Sequence, residues 1–262
     1  MAGGGVFGLE PGEWTDDTSM ALCLATSLIE CDGFDAADQM DRYCRWHETG
    51  YLSSNGRCFD IGNTVLAALD RYRETGDPFS GATSPHSAGN GSLMRLAPVP
   101  MFYRADRDQA RHYCGESSRT THGATECIAA CRLFGDMLFV ALAGRGKQDI
   151  LLDRDVPRGL SPALRDISRG KYRDKTIEEI RGTGYVVHSL EAALWCFLTT
   201  DSFDAAILQA ANLGDDADTT AAICGQIAGA HYGESGIPDR WLDRLVMCKE
   251  IRELADQLRS QV

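Results

Sequence analysis

Apolar side chains recur with the period of an α-helix, about 3.6 residues, along almost the whole chain. The most apolar stretch, residues 124–143, is typical of a central buried helix. Val186 and Val187, the best candidates for a strand, form too short a run. The pattern therefore predicts an all-α fold, a single compact bundle of about ten or more helices that takes up residues 1–262 as one domain.

We predict the longer helices where apolar residues are spaced three or four apart. These ranges are 17–30, 35–48, 65–72, 106–119, 124–143, 190–198, 203–212, a helix that starts at 218, and 239–258. The charged segment 144–184 is expected to hold only short helices at the surface. Residues 79–92, rich in Gly, Ser, Pro and Asn, form the longest predicted loop of the first half.

Composition excludes several classes of protein. The formal charge is −12, and Lys and Arg are scattered singly or in pairs, which argues against nucleic-acid or anionic-membrane partners. Neither a membrane-spanning apolar run nor a signal-peptide pattern occurs. The ten cysteines include no Cys-x-x-Cys pair, so we expect reduced core cysteines. A cytoplasmic monomer is the expectation.

Two short acidic stretches, far apart in the sequence, each precede an apolar helical pattern. The first is Thr15-Asp16-Asp17-Thr18 and the second is Asp215-Asp216-Ala217-Asp218-Thr219-Thr220. The residues from Asp17 onward align position by position with those from Asp218, as far as a cysteine in each. Both stretches are therefore predicted to be helix N-termini.

The crowded carboxylates have two explanations, and the residues alone leave both open. One Asp can cap each helix, contributing about 1 kcal/mol, with the spare acids solvated. However, two like charges about 4 Å apart repel by about 4 kcal/mol at an effective dielectric near 20, so they need a counter-charge. Neither stretch contains Lys or Arg. The candidate counter-charge is therefore a metal ion. All the donors are hard oxygens, which favour Mg²⁺, Mn²⁺ or Ca²⁺ over zinc or copper.

Further candidate residues lie between the acidic stretches. Two glycines around Asn90, in the segment Ser87-Ala88-Gly89-Asn90-Gly91-Ser92-Leu93-Met94-Arg95, suit a backbone nest that opens into a helix and gathers N–H groups around phosphate. A plain tight turn explains the same residues. His122, at a helix junction, is typical of a structural hydrogen-bonding residue.

Three more polar or aromatic residues flank predicted helices. Asp60 and Asn63 are three residues apart and suit one face at a helix start, although capping explains Asp60 equally well. Tyr185 precedes a compact apolar helix, where it suits either the core or a stacked ligand.

With these residues in view, the chain resembles the ADP-ribosylglycohydrolase family, which includes the dinitrogenase reductase-activating glycohydrolases. The resemblance runs from about Trp14 to Leu242. Three motifs in the same order carry it: Trp14-Thr15-Asp16-Asp17-Thr18, Gly89-Asn90-Gly91-Ser92-Leu93-Met94-Arg95 and Leu213-Gly214-Asp215-Asp216-Ala217-Asp218-Thr219. It implies an all-α orthogonal bundle that holds two Mg²⁺ or Mn²⁺ ions between the ends of two central helices.

The resemblance also implies roles for individual residues. The implied metal ligands are Thr15, Asp16, Asp17, Asp216, Asp218 and Thr219. The implied catalytic carboxylates are Asp16, Asp17, Asp60 and Asp216, and which of them acts as base stays open. The implied ADP-ribose-binding residues are Asn63, Gly89, Asn90, Gly91, Ser92, His122 and Tyr185.

The sequence departs from the family pattern at its start. Family members normally begin with a helix that carries a Gly-Asp-Ala-like motif, followed by a segment whose Glu reaches the metal site. This sequence opens in a glycine-rich loop and starts after both. We therefore expect either that the true start lies upstream of residue 1 or that the domain lacks this helix and this acidic segment.

Three hypotheses follow. The first is a metal-dependent hydrolase that releases ADP-ribose from a protein side chain, such as arginine, or from a small acceptor. The second, motivated by the departure at the start, is a module that binds ADP-ribose without turnover. The third is a purely structural helical protein, whose melting temperature would not respond to Mg²⁺ and ADP-ribose.

Overall fold

The computed structural model of the chain describes residues 3–151 and 159–260. Within these ranges the only β pairings are three isolated bridges, so the predicted all-α fold is confirmed. The α-helices in chain order are α1 (Asp16–Glu30), α2 (Ala36–Thr49), α3 (Asn63–Thr75), α4 (Pro98–Phe102), α5 (Arg107–Thr121), α6 (Thr125–Leu142), α7 (Lys147–Leu151), α8 (Pro162–Ser168), α9 (Val186–Leu198), α10 (Phe203–Ala211), α11 (Ala217–Tyr232), α12 (Asp239–Leu242) and α13 (Cys248–Ser260).

Helix α6 lies at the centre of the bundle, as its apolar sequence predicts. It packs against α5, α9 and α11, and Phe134, Met137 and Leu138 are buried along it. Apolar burial stabilises a fold by about 25 cal/mol per Å². The buried side chains of α6 therefore contribute to the stability of the bundle.

Helices α1 and α11 bring the two acidic stretches together. Leu24 and Leu28 bury α1 against its neighbours, and Ile223 and Ile227 do the same for α11. The two helices also contact each other. Their N-terminal ends meet, since the Thr15 hydroxyl lies 3.3 Å from a carboxylate oxygen of Asp218.

The single helix predicted at 239–258 is two helices, so this prediction was wrong. Met247 has a left-handed backbone, with φ of 56°, which interrupts a right-handed helix. The break is occupied by the start of the chain. Val246 donates its N–H to the carbonyl of Gly12 at 3.1 Å and accepts a hydrogen bond from the Trp14 indole at 3.2 Å. These contacts across the whole sequence decide the local conformation.

The expectation that the glycine loop opens directly into a helix was also wrong. Residues 91–95 form successive turns, and α4 begins only at Pro98. The turns bury Leu93 and Leu96 completely. Proline suits a first helical turn because its missing N–H has no partner there in any case.

The segment 144–184 holds α7, α8 and short 3₁₀ turns, as predicted for its described part. Residues 152–158 of this segment lie outside the described residues.

The cysteines fit the expected reduced state. All ten are unpaired, and seven of them are buried. No helix within residues 3–151 and 159–260 has the length and apolar content needed to cross a bilayer.

The packing of α1 gives a direct test of the fold. We expect Leu24→Ala to lower the free energy of unfolding by about 2–5 kcal/mol, because Leu24 is completely buried and its truncation leaves a cavity. Leu208→Ala, at a half-exposed leucine, should change it by no more than about 0.5 kcal/mol. Urea unfolding followed by circular dichroism measures both. Equal effects of the two substitutions would contradict this packing.

Candidate active site

The two acidic stretches begin helices without capping them. Thr15 is the N-cap residue of α1 and Asp216 that of α11, and neither side chain makes a capping hydrogen bond. Asp17 and Asp218 each lie two residues after the N-cap residue, within the first helical turn. The interpretation that one Asp caps each helix was therefore wrong, and capping does not explain why carboxylates gather here.

The carboxylates of both stretches converge, although Thr15 of the first stretch and Asp218 of the second are 203 residues apart in sequence. The Thr15 hydroxyl bridges them, lying 2.8 Å from Asp17 Oδ2 and 3.3 Å from Asp218 Oδ2. Asp60, Asp216 and Asp218 line the same cleft, and the charge of Asp218 acts on the carboxyl groups of Asp60 and Asp216. The helix starts thus form one cluster, and Asp60 joins it from a third part of the chain.

Asp60 reaches this cluster through an unusual backbone conformation. Its φ is 61°, in the left-handed region, and it lies in the loop before α3. The expected shared helix face with Asn63 is therefore absent, because Asn63 is the first residue of α3 and Asp60 precedes the helix. Asp215 has φ of 53° and adjoins the cluster on the other side. Such conformations cost about 1–3 kcal/mol each and concentrate at functional sites.

Burial, together with repulsion between neighbouring carboxylates, raises the pKa of these carboxyl groups. Burial, followed by repulsion from Asp17, raises the pKa of Asp16 to about 9. Burial and the charge of Asp218 raise the pKa of Asp17 to about 7, and the same two causes raise that of Asp60 to about 6. Burial also raises the pKa of Asp216. In the absence of a counter-charge, the fold therefore holds Asp16 and Asp17 partly protonated at neutral pH.

These residues fit a divalent cation. Asp17 Oδ1 is buried and has no hydrogen-bond partner in the described part of the chain, so one ligand oxygen is unused. All the donors are carboxylate or hydroxyl oxygens, the type that Mg²⁺ and Mn²⁺ prefer. No three His, Cys, Asp or Glu side chains among the described residues already converge at ligand distance. Repelling carboxylates are expected to stand apart without a cation between them, so the site offers donors but no preformed cage.

The glycine loop is held against the second acidic stretch. Asn90 donates from Nδ2 to Asp216 Oδ2 at 2.8 Å, and its N–H donates to the carbonyl of Gly184 at 3.1 Å. The N–H of Asp216 donates to the carbonyl of Gly182 at 2.8 Å. Backbone carbonyls of the segment 182–184 thus hold both the glycine loop and the second acidic stretch in place. Sequence reasoning missed this role, although two glycines that flank Thr183 were a signal.

Glycine is needed at position 91 because His122 lies against it. A Cβ atom there would come within 2.8 Å of His122 Cε1. The N–H groups of Gly91 and Ser92 make no hydrogen bond to the described residues. The Ser92 side chain faces the interior, where its hydroxyl accepts from Ser118 at 2.9 Å. The Ser92 hydroxyl is therefore engaged in the interior and does not face the cleft.

A cleft of about 270 Å³ lies between the acidic cluster and the glycine loop. Among the described residues no Lys or Arg lines it. Ten of the residues singled out from the sequence line this cleft: Asp16, Asp60, Asn63, Gly89, Asn90, Gly91, His122, Asp216, Asp218 and Thr219. The sequence reasoning missed five others: Gly62, Thr64, Val65, Met94 and Gly184.

Four of the residues singled out lie outside the cleft lining. Thr15 and Asp17 contact the cluster through the hydrogen bonds above, and Ser92 faces the interior. Tyr185 adjoins Gly89 through an isolated bridge, and its hydroxyl donates to Glu126 at the start of α6. The Tyr185–Glu126 pair was not anticipated, because nothing in the sequence links two polar residues 59 positions apart.

Comparison with known proteins decides the family. The family model described as ADP-ribosylglycohydrolase matches residues 1–262, the whole chain. This protein belongs to the ADP-ribosylglycohydrolase family. The family member is a glycohydrolase, and the resemblance noted from the three motifs is confirmed.

Individual relatives agree with this family assignment. The glycohydrolase is 46% identical over 258 residues to ADP-ribosylarginine hydrolase Tri1 of Serratia proteamaculans, covering 98% of this chain and 70% of that protein. It is 33% identical over 263 residues to ADP-ribosyl-[dinitrogen reductase] glycohydrolase of Rhodospirillum rubrum, covering 98% and 83%. A solved structure described as an ADP-ribosylglycohydrolase-related protein complex matches with a TM-score of 0.87 at 42% identity, covering 100% and 86%.

The raised pKa values give a test of the carboxylate cluster. We expect the melting temperature of the glycohydrolase in a chelator to fall as pH rises from about 4 to about 9. The folded-state pKa values of Asp16 and Asp17 exceed the ordinary value of 3.8, so the folded state binds more protons than the unfolded state in this range. Stability is then greatest at low pH and is lost as pH rises through the folded pKa values.

Two variants isolate the contribution of the cluster. Asp16→Asn carries no charge at any pH and should flatten this decline. Asp215→Asn, at an exposed neighbour outside the cleft lining, should leave it unchanged. Differential scanning fluorimetry across pH measures all three proteins. The same slope for wild type and Asp16→Asn would refute the assigned crowding.

Proposed function

We propose that this glycohydrolase cleaves the bond between ADP-ribose and an arginine side chain of a protein, and that it requires two Mg²⁺ or Mn²⁺ ions. One observation carries the proposal: a cluster of carboxylates, with neither Lys nor Arg among the described residues of the cleft lining, is joined to a glycine loop by the Asn90–Asp216 hydrogen bond. Similarity to the Serratia proteamaculans and Rhodospirillum rubrum enzymes supports ADP-ribosylated protein as the substrate.

The acidic cluster is the proposed metal site. Thr15, Asp16 and Asp17 are the ligands from the start of α1, and Asp216, Asp218 and Thr219 those from the start of α11. When bound, the ions supply the positive charge that the clustered carboxylates lack and polarise oxygen atoms of water and substrate. The threonine hydroxyls add donors without adding repulsion.

The glycine loop is the proposed site for the phosphates. Gly91 and Ser92 have unused N–H groups, and backbone N–H groups bind phosphate without a basic side chain. This fits a cleft whose described lining holds four Asp and neither Lys nor Arg. The distance between loop and cluster is set by Asn90, which bonds to both the Gly184 carbonyl and Asp216.

The charge of the cleft favours a cationic linked residue. A guanidinium group keeps its positive charge at neutral pH and is attracted to clustered carboxylates. Asp16, Asp60 and Asp216 border the cleft, where a carboxylate stabilises the positive charge that develops on the ribose as the bond breaks. Each is a candidate to accept the proton of the attacking water.

The surroundings of the enzyme are part of the same proposal. Ten unpaired cysteines suit a reducing compartment, and we propose a cytoplasmic location. The monomeric state stays a prediction that size-exclusion chromatography with light scattering can test.

The activity test uses ADP-ribosylarginine as substrate. We expect release of free ADP-ribose with Mg²⁺ or Mn²⁺ and none in a chelator. Asp16→Asn and Asp218→Asn should each lower kcat/KM by at least about 100-fold, because each removes a ligand charge. Asp215→Asn is the matched control and should retain activity. Chromatography of released ADP-ribose measures the rates.

The alternatives give different outcomes in this assay. Full turnover in a chelator would exclude the metal mechanism. Binding of ADP-ribose without release, under all metal conditions, would support a binding module instead. An unchanged melting temperature with Mg²⁺ and ADP-ribose would support a purely structural protein.

The phosphate proposal has its own test. We expect Gly91→Ala to weaken ADP-ribose binding by about 10-fold, because the new Cβ collides with His122 and displaces the unused N–H groups. Gly146→Ala, where an added Cβ meets nothing within 4 Å, should bind as the wild type does. Isothermal titration calorimetry measures both affinities. Equal affinity of Gly91→Ala and wild type would argue against phosphate binding at this loop.

A further inference from the structure

Arg95 is a completely buried arginine behind the glycine loop. No Asp or Glu among the described residues forms an ion pair with it. A buried charge without a counter-ion is strongly unfavourable, so other interactions must stabilise it. Its guanidinium lies 4.7 Å from the centre of the Tyr43 ring. Its oxygen acceptors all belong to the glycine loop or to the end of α5, and Nη1 also lies 3.9 Å from the sulfur of Met20 on α1.

These acceptors connect two parts of the cleft. Nη1 of Arg95 donates to the carbonyl of Gly91 at 3.0 Å. Nη2 donates to the hydroxyls of Thr121 at 2.8 Å and Thr120 at 3.2 Å, and to the carbonyl of Ser117 at 3.3 Å. The carbonyl of Gly91 and the N–H of Ser92 belong to the same peptide group. A cation on this carbonyl therefore polarises the unused Ser92 N–H and makes it a better donor.

The hydroxyl of Thr121 links the guanidinium of Arg95 to the imidazole of His122. Thr121 Oγ1 lies 2.9 Å from His122 Nδ1. Arginine can only donate, so this hydroxyl accepts from Arg95 and its own hydrogen needs another acceptor. Nδ1 is its only other hydrogen-bond partner among the described residues. If Nδ1 carried a proton, the Thr121 hydrogen would be buried without an acceptor, which is unfavourable.

This constraint puts the imidazole proton on Nε2. A Cβ at Gly91 would lie 3.2 Å from Nε2 and one at Gly89 would lie 3.3 Å from it, so this atom borders the glycine loop. His122 lines the cleft, and Nε2 makes no hydrogen bond within residues 3–151 and 159–260. Burial and the charge of Arg95 lower the pKa of His122 to about 3, so the ring stays neutral at physiological pH.

We propose that Arg95, Thr121 and His122 form a relay that fixes the Nε2–H tautomer of His122 and directs this N–H at an oxygen of the bound substrate beside the glycine loop. Arg95 is a positioning residue: its charge acts through Thr121 on His122 and through the Gly91 peptide on Ser92. The proposal rests on the proposed function, because the phosphate oxygens of ADP-ribose are the acceptors expected there. The relay makes the glycine-loop end of the cleft favourable for an anion. The guanidinium of Arg95 itself stays buried behind the loop.

Histidine side-chain ¹⁵N–¹H correlation spectra test the tautomer directly, with His122→Gln identifying the signal of His122. We expect the Nε2–H form in the wild type and in Thr121→Ser, which keeps the hydroxyl. Thr121→Val keeps the shape and removes the hydroxyl, and it should shift His122 towards the Nδ1–H form. It should also weaken ADP-ribose binding by about 10-fold, measured by calorimetry.

Thr120→Val is the matched control. It removes another hydroxyl from the same guanidinium without touching His122, so both the tautomer and the affinity should match the wild type. An Nδ1–H form in the wild type would overturn the relay, and so would an unchanged tautomer or affinity in Thr121→Val. If Thr121→Val does not fold, the wild-type tautomer still decides.

The two proposals fail in different ways. If the wild type does not bind ADP-ribose, the proposed function fails and the spectra alone judge the relay. If ADP-ribose binds equally well to wild type and Thr121→Val, the relay fails and the proposed function stands.

Discussion

The carboxylates at the starts of α1 and α11 repel one another, and the rest of the site is arranged around this repulsion. Asp16 and Asp17 are buried, and Asp218 faces them from the other helix. Among the described residues, no Lys or Arg lines the cleft to offset their charge. The packing of both helices into the bundle holds the acids in place against this repulsion. Part of the packing free energy therefore offsets the repulsion, which a bound cation would relieve.

The rest of the site is built outward from this cluster. Asn90 ties the glycine loop to Asp216, and the segment 182–184 fixes both by backbone hydrogen bonds. Asp60 comes from a third segment through a left-handed backbone. A cleft with acids at one end and backbone donors at the other suits a ligand that carries hydroxyls, phosphates and a cationic leaving group. The neutral His122 and the buried Arg95 make the donor end of the cleft favourable for an anion, although the described residues of the cleft lining include neither Lys nor Arg.

Much of this was predictable because it depends on local pattern. The apolar period gives the helices, including the central α6, and the repeated Asp-Thr pattern gives the starts of α1 and α11. Other features depend on contacts between distant residues. The break before α13 exists because Trp14 and Gly12 bond to Val246. Asp60 was assigned to a helix face because its left-handed backbone has no marker in the sequence.

Arg95 shows the same limit at the site itself. It closes a recognisable motif, yet its role depends on Thr121, 26 residues away, and on burial that a single sequence does not reveal. Glu126 was missed for the same reason, since its partner Tyr185 lies on another helix start. Local sequence thus identifies most of the residues that touch the cleft, whereas the residues that position them emerge only from the fold.

Anomalous X-ray diffraction from crystals grown with Mn²⁺ tests the central claim most directly. The account predicts two manganese peaks between the starts of α1 and α11, bonded to oxygen atoms of Asp16, Asp17, Asp216 and Asp218. A map with no peak between these helices, from crystals whose cleft is open to solvent, would contradict it.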